Sequence, residues 1–470
     1  MAKVILTDGD EGVQLIVKQP KARRTTKPEK AVRHPVHVLY GGADRYNAGT
    51  AAKLGQIAGA AFAEFAPDFA QFAAAVGLPE SEHLPTDAKQ IARLERKLSH
   101  QKDDSSTAFA WRVYQRTREK LESEPIEDFR IDFEDGYGFR PNDEEDTDAE
   151  RAAKELAKAM DDGSITAFSG FRIKSFAPET YGRAVRTLEI FLSTLLEASS
   201  GRVPDNFVVT LPKVTDRREV KDLADRLKRF EKKWKLASGS IGIEVVIETP
   251  EALFSDKGEF NLRRIASSQK GRIRSAHFGA FDFTSALGIP AAHQGIRHPA
   301  CTLARQMMLL AFAPLGVRVA DSVTTTLPVV LHKGPKLTAE QIDENRRSIH
   351  GGWAVHFRNV TASIGEGFYQ SWDLHPNQLP ARYAANYAFY LGSAKENAKR
   401  LRGFIDRATK AHLTGTVFDD AASVRGLIDF WKNGLGCGTF TEDEVEELTG
   451  IPAEKIGSMT PAGIAELTTR

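Results

Sequence analysis

Acidic and basic side chains follow short apolar runs at several points of this sequence, and such placement is typical of an active site. Functional groups end or follow the runs FRIDFEDG, FRIK, LPK, IET and FGAFD, namely Glu134, Asp135, Arg172, Lys213, Glu248, Thr249 and Asp282. Two later runs end near Asp321, Asp373 and His375. If the runs are strands of one parallel barrel, their carboxyl ends meet at a single rim. The sequence therefore predicts a polar site at that rim.

Several carboxylates at one rim would repel one another and resist ionisation unless positive charge compensates them. A hard divalent cation with carboxylate and water ligands meets that need, and Mg²⁺ or Mn²⁺ suits such ligands. Arg172 and Lys213 would supply further positive charge. Salt bridges that close the rim are the alternative interpretation, and any single acid is compatible with it. The whole set at strand ends favours a metal-dependent enzyme.

Eight apolar runs must position these side chains, and eight is the number of strands in a (β/α)₈ barrel. The runs cover residues 36–42, 129–136, 167–176, 206–214, 241–250, 273–283, 317–325 and 368–376. Amphipathic helices are predicted between them. One has apolar side chains at steps of three and four from Val220 to Trp234, after an N-cap at Asp216. The alternation of strands and helices predicts an α/β fold, specifically a TIM barrel.

The chain is longer than a minimal barrel, and the excess falls at both ends and in two insertions. The predicted parts are an N-terminal arm at 1–35, a TIM barrel catalytic domain at 36–380 with insertions at about 77–128 and 331–367, and a C-terminal helical extension at 381–470. The insertions are predicted to carry helices. A basic cluster from Lys18 to His34 contains two prolines and few apolar residues. That composition is typical of a flexible connector.

The composition argues against several classes of protein. Of 470 residues, 41% are hydrophobic and 27% are charged, and the net charge is +1. Broad electrostatic attraction to nucleic acid or to an anionic membrane is therefore not expected. The N-terminus lacks the apolar run of a signal peptide, and no apolar stretch approaches the roughly 20 residues that span a bilayer. Two cysteines cannot form a disulfide framework. These features predict a soluble, cytoplasmic protein.

Taken in order, the motifs FEDG, FRIK, LPKV, IET, FGAFD, AR…G…D and LHPNQ resemble those of the HpcH/HpaI aldolase and citrate lyase beta-subunit superfamily. The resemblance runs from about residue 36 to residue 380. It departs from the family pattern at Lys174, where relatives often carry asparagine, and in the two long insertions. It implies a metal-dependent lyase that assembles as a homo-oligomer.

The resemblance also implies roles for individual residues. Glu248 and Asp282 correspond to the acids that bind Mg²⁺ or Mn²⁺ in that superfamily. Arg172 corresponds to the arginine that contacts enolate or carboxylate oxygens of the substrate. Glu134 and Asp135 correspond to acids that lie near metal-bound water.

The predicted reaction is carbon–carbon bond cleavage or formation through an enolate. A 2-oxo acid similar to pyruvate or oxaloacetate would chelate the metal, which would stabilise the enolate as a Lewis acid. Lys213 and Thr249 are further candidates for substrate binding, next to Arg172. A general base is also required, and the sequence leaves it open among Glu134, Asp135 and His375.

Two other functions fit the same residues. A Claisen-type lyase or synthase acting on an acyl-CoA thioester would use the same metal and a similar enolate. A catalytically silent barrel that serves in binding or assembly would keep the fold without the reaction. The insertions and the helical extension favour the silent barrel, whereas intact Arg172, Glu248 and Asp282 disfavour it.

Overall fold

The computed structural model describes residues 33–100, 105–409 and 421–458, together with two short antiparallel strands, β1 (Val4–Ile5) and β2 (Ile16–Val17). The predicted basic connector up to residue 32 otherwise lies outside the described residues. The chain divides into two compact units. The larger one comprises Arg33–Ala398 and Asn433–Phe440. The smaller one comprises Met1–Val32, Lys399–Lys432 and Thr441–Arg470.

Eight parallel strands of the larger unit close into a barrel. They are β3 (His37–Gly42), β4 (Asp128–Asp132), β5 (Phe168–Arg172), β6 (Phe207–Leu211), β7 (Gly242–Ile247), β8 (Ile273–Phe278), β9 (Arg318–Asp321) and β10 (Gln370–Asp373). Neighbouring strands follow chain order, and β10 pairs with β3 to close the cylinder. Every strand coincides with a predicted apolar run. The predicted (β/α)₈ barrel is therefore confirmed.

Helices cover the barrel and fill the insertions. Those of the larger unit are α1 (Thr50–Phe65), α2 (Phe69–Val76), α3 (Ala88–Leu98), α4 (Ser106–Ser123), α5 (Asn142–Asp162), α6 (Tyr181–Ala198), α7 (Arg217–Trp234), α8 (Pro250–Leu253), α9 (Asn261–Ser268), α10 (Ala280–Ala286), α11 (Pro299–Phe312), α12 (Ala339–Gly365) and most of α13 (Leu379–Thr409). The smaller unit holds most of α14 (Ala421–Gly436), and all of α15 (Glu442–Thr449) and α16 (Ala453–Ser458).

Helix α7 shows how the local sequence sets an element. The Asp216 side chain accepts a hydrogen bond from the backbone N–H of Arg218, and Asp216 forms a capping box with Glu219. Three stripe residues, Val220, Leu223 and Leu227, are fully buried. Burial of each such side chain contributes about 1.5–3 kcal/mol. The cap therefore begins the helix, and the stripe fixes the face that packs.

Polar side chains occupy the lower interior of the barrel, where TIM barrels usually carry branched apolar residues. Arg130 of β4 donates two hydrogen bonds to Glu244 of β7, at 3.0 and 2.7 Å, and also pairs with Asp128. All three residues are buried. Because each charge has a partner of opposite sign, the cost of burial is offset.

Across the described ranges, no helix is long and apolar enough to span a membrane.

Candidate active site

Glu248 lies directly after β7, at the rim formed by the carboxyl ends of the strands. Its side chain is buried, with 2% of the residue exposed. One carboxylate oxygen, Oε1, accepts a hydrogen bond of 2.7 Å from the backbone N–H of Lys213. A Cβ atom at Gly279 would lie only 2.5 Å from the other oxygen. The position of Glu248 after β7, the backbone N–H of Lys213 and the absence of a side chain at Gly279 therefore fix the place of this carboxylate.

Asp282 lies in the first turn of α10, which follows β8, and is exposed. Burial raises the pKa of Glu248 to about 8, and the charge of Asp282 adds to the rise although Lys213 opposes it. The two carboxylates are thus close enough to repel. A divalent cation would relieve that repulsion, so the donor set fits Mg²⁺ or Mn²⁺.

Within the described part of the chain, no group of three or more His, Cys, Asp or Glu side chains is arranged to hold a metal ion. The pair of Glu248 and Asp282 would leave the other coordination positions to water or substrate. Mg²⁺ commonly binds through one or two carboxylates in this manner.

Arg172 is the last residue of β5, next to Asp132 at the end of β4. Its Nε and Nη2 each donate to one oxygen of Asp132 at 2.6 Å. The third nitrogen, Nη1, lies 3.0 Å from Oε2 of Glu134. The guanidinium is therefore held along one edge by Asp132, and its remaining N–H groups point towards the rim.

Glu134 and Asp135 lie in the loop after β4, which Asp132 holds by accepting from the backbone N–H groups of Glu134 and Gly136. Lys213 Nζ pairs with Glu134 and lies 3.2 Å from Oδ1 of Asp135. Burial raises the pKa of Glu134 to about 7 against the opposing charge of Arg172. A carboxyl group with such a pKa suits proton transfer near neutral pH.

Lys213 connects the two groups of acids. Its backbone has φ of 51°, in the left-handed region that side chains other than glycine rarely adopt. This conformation costs about 1–2 kcal/mol. It lets the backbone N–H reach Glu248 while the side chain reaches Glu134. Strained backbone that neighbouring contacts hold in this way is common at functional sites.

Two other predicted site residues have different surroundings. Thr249 precedes α8, and its buried hydroxyl has no hydrogen-bond partner among the residues that the structure describes. His375 uses Nδ1 to accept from the backbone N–H of Asn377, as the N-cap of a short helix, and burial lowers its pKa. The Thr249 hydroxyl is therefore left without a partner among the described residues, whereas His375 has a structural role as an N-cap.

Two strand-end acids belong to buried ion pairs, as the salt-bridge interpretation expects. Asp321 lies 2.6 Å from Nη2 of Arg305 and accepts from the Ser363 hydroxyl. Asp373 lies 2.6 Å from Nη2 of Arg382. Their charges are compensated by protein side chains, so these acids do not need a metal.

Three residues beside Arg172 were not among the sequence candidates, namely Asp132, Tyr40 and Trp372. Asp132 lies inside the FRIDFEDG run. It follows Arg130 by two residues, so both side chains point to the same face of β4. This two-residue spacing was the sequence signal that could have identified Asp132 as a site residue. Tyr40 and Trp372 come from β3 and the closing strand β10, and their proximity depends on closure of the barrel.

The family described as "Domain of unknown function (DUF6986)" matches residues 18–463 of this chain. No curated protein sequence matches it. Among solved structures, a citrate lyase from Burkholderia xenovorans LB400 is 19% identical with a TM-score of 0.50, over 71% of this chain and 91% of that one. It shows that the fold is shared. The barrel fold that the resemblance implies is thereby confirmed.

Two further solved structures are more distant. The citrate lyase beta subunit from M. tuberculosis, complexed with oxaloacetate and magnesium, is 18% identical with a TM-score of 0.34, over 57% of this chain and 92% of that one. The Haloferax volcanii malate synthase magnesium/glyoxylate complex is 12% identical with a TM-score of 0.40, over 94% and 99% of the two chains.

Proposed function

This chain belongs to the DUF6986 family, and we propose that it is a divalent-metal-dependent carbon–carbon lyase acting through the enolate of a 2-oxo acid. One observation carries the proposal. Lys213 joins a buried carboxylate, Glu248, to the acids that pair with Arg172, all at the same end of the barrel. A metal-binding acid beside two cations suits a substrate that has both a carbonyl group and a carboxylate.

Glu248 and Asp282 would hold the cation, which when bound supplies a Lewis acid for the carbonyl oxygen. Arg172 would bind the substrate carboxylate through the N–H groups that Asp132 leaves unused. The Thr249 hydroxyl would donate a further hydrogen bond. Lys213 would add positive charge where the enolate develops.

We assign the general base to Glu134. Its carboxylate contacts both Arg172 and Lys213. Its pKa of about 7 lets it accept a proton at neutral pH. Its carboxylate lies between Arg172 Nη1 and Lys213 Nζ. A substrate carboxylate that enters would displace Glu134 from these cations and release it for proton transfer.

The experiment that tests this function is a binding screen with Mn²⁺ against pyruvate, oxaloacetate, glyoxylate and CoA esters, read by thermal shift and calorimetry. We expect pyruvate or oxaloacetate to raise the melting temperature only when Mn²⁺ is present, because a ligand at 100 times its Kd adds about 2.7 kcal/mol of stability. Release of pyruvate and an aldehyde from a 4-hydroxy-2-oxo acid by the same protein would then identify the substrate class.

Arg186→Lys, on the exposed face of α6, is the matched control for Arg172→Lys in this screen. Only Arg172→Lys should weaken 2-oxo acid binding, because lysine lacks the planar fork. Binding of CoA esters in place of free 2-oxo acids, or binding that ignores the metal, would contradict the proposal. Cytoplasmic location and homo-oligomeric assembly stay predictions.

A further inference from the structure

An aromatic pair lies beside the candidate active site, and the chemistry proposed above does not use it. The ring of Tyr40 stacks on that of Trp372, with centroids 4.3 Å apart and planes inclined by 23°. Both residues are half-buried. The Arg172 guanidinium carbon, Cζ, lies 4.9 Å from the Tyr40 ring centroid and 5.8 Å from that of Trp372. Both rings therefore contact the cation to which we assign the substrate carboxylate.

The strand register places Tyr40 one layer below the guanidinium. Arg172 pairs with Asp132, which pairs with Gly42 of β3. Tyr40 precedes Gly42 by two residues and points to the same face of the sheet. Gly42 has no side chain at the upper level. The Tyr40 ring can therefore extend upwards beneath Arg172.

His277 of β8 holds the Trp372 ring and lies beside the Tyr40 hydroxyl. Its Nδ1 lies 3.0 Å from the indole Nε1 of Trp372 and 3.1 Å from the Tyr40 hydroxyl. The indole N–H can only donate, so Nδ1 must accept and the imidazole proton lies on Nε2. Nε2 lies 2.9 Å from Oε2 of Glu244. This tautomer makes His277 a fixed link between the aromatic pair and the barrel interior.

Glu244 anchors that link. Burial alone would raise its pKa, but the charge of Arg130 and the hydrogen bond from His277 hold the pKa well below its usual range. Thr210 and the Tyr40 hydroxyl donate to one of its oxygens, at 2.8 and 3.0 Å. The aromatic pair is thus fixed from the interior of the barrel.

We propose that Tyr40 and Trp372 are positioning residues, which restrain the plane of the Arg172 guanidinium for the substrate carboxylate. The proposal rests on the function assigned to Arg172 above. Asp132 fixes the guanidinium along one edge, but two hydrogen bonds on one edge leave it free to tilt about that edge. Two aromatic rings this close to the guanidinium restrict the tilt and interact favourably with the cation. Nη1 then keeps one direction, towards the rim.

The first experiment compares variants that keep a ring with variants that remove it. Tyr40→Leu and Trp372→Leu should each weaken pyruvate binding to the Mn²⁺-loaded protein about tenfold, as expected for loss of a partly buried cation–π contact. Tyr40→Phe and Trp372→Phe keep the ring and should stay within about threefold of the wild type. Calorimetry measures pyruvate binding, and electron paramagnetic resonance measures the Kd for Mn²⁺.

The Kd for Mn²⁺ distinguishes positioning from general damage. Among the described residues, no hydrogen bond joins Glu248 or Asp282 to either aromatic side chain, so the leucine variants should bind Mn²⁺ as the wild type does. Trp234→Leu, on α7 outside the barrel, is the control for loss of a half-buried indole. Unchanged pyruvate affinity in both leucine variants would overturn the proposal, as would a parallel loss of Mn²⁺ affinity.

A second measurement needs no substrate. The Nε–Hε resonance of Arg172, assigned by its absence from Arg172→Lys, should shift and broaden in Trp372→Leu and remain unchanged in Trp234→Leu. If the wild type binds no 2-oxo acid but this resonance responds, the proposed function fails and the positioning role stands. If the resonance does not respond, the positioning role fails regardless of substrate. Tyr40→Leu serves the same comparison if Trp372→Leu does not fold.

Discussion

Glu134 contacts both candidate substrate-binding cations, Arg172 and Lys213. Its two proposed roles predict opposite effects of a substitution on turnover and on substrate binding. As a base it is needed for turnover, and as an occupant of the cation pair it competes with the substrate. Glu134→Gln removes the charge and nearly keeps the shape. We expect turnover to fall about 100-fold or more, as for loss of a general base, while pyruvate binds as tightly as before or more tightly. Steady-state kinetics with a separate Kd measurement would show this divergence, and a parallel loss of both would contradict it.

Glu248 allows a prediction about metal and pH together. Its folded-state pKa of about 8 lies above the ordinary value of 4.5, so the metal-free folded protein binds a proton that the unfolded chain releases between these values. Stability from this group is complete below about pH 4.5 and is lost as the pH rises towards 8. Metal-free wild type should therefore lose stability over that range relative to Glu248→Gln.

Chemical denaturation with a chelator present, at pH 5 and pH 8, checks this difference. Adding Mn²⁺ at pH 8 should stabilise the wild type and leave Glu248→Gln nearly unchanged. Loss of a residue that binds the metal directly should reduce metal affinity at least as much as loss of a residue that only supports a ligand. We therefore expect Glu248→Gln to bind Mn²⁺ about 100-fold more weakly than the wild type. Equal Mn²⁺ affinity in the two proteins would remove Glu248 from the metal site.

At the scale of elements, the turn between β8 and α10 sets the space for Glu248. A Cβ at Gly279 would lie 2.5 Å from Oε2 and 2.6 Å from Cβ of Glu248. Gly279→Ala should therefore displace the carboxylate and weaken Mn²⁺ binding about tenfold or more, since overpacking costs about 1–3 kcal/mol. Gly182→Ala in α6 is the control, because its added Cβ meets open space and alanine favours a helix. Wild-type Mn²⁺ affinity in Gly279→Ala would show that the turn does not position the ligand.

The same elements show what the sequence can reveal. Periodicity predicts the strands and helices because one face of each is buried, as in α7 with its capped stripe. Position at a strand end does not separate Glu248 from Asp321, because both acids follow apolar runs. The difference is the partner: Arg305 comes from α11 and neutralises Asp321, whereas Glu248 has a second acid nearby. Contacts between distant segments decide the roles of these acids, and no local pattern encodes them.

At the scale of the whole molecule, Asp373 ties the closing strand to the insertion and to the tail helix. It lies 3.4 Å from His37 of β3, 2.8 Å from His356 of α12 and 2.6 Å from Arg382 of α13. The carboxylate is buried, which alone would raise its pKa. The charge of Arg382 nevertheless holds the pKa well below its usual range. Closure of the barrel thus places one ionised acid among three elements.

Asp373→Asn should destabilise the protein by about 3–5 kcal/mol at pH 7, because Arg382 would be left buried without its anion. Asp373 has a depressed folded-state pKa, so its contribution is complete above the ordinary value of 3.8 and is lost as the pH falls further. The stability difference from wild type should therefore shrink below about pH 4. Urea unfolding at pH 7 and pH 3.5 measures it, with Asp225→Asn on the surface of α7 as a control expected to change stability by no more than about 0.5 kcal/mol. If the difference in unfolding free energy between the wild type and Asp373→Asn stayed constant with pH, the shape of the Asp373 side chain, and not its charge, would be what stabilises the closing strand.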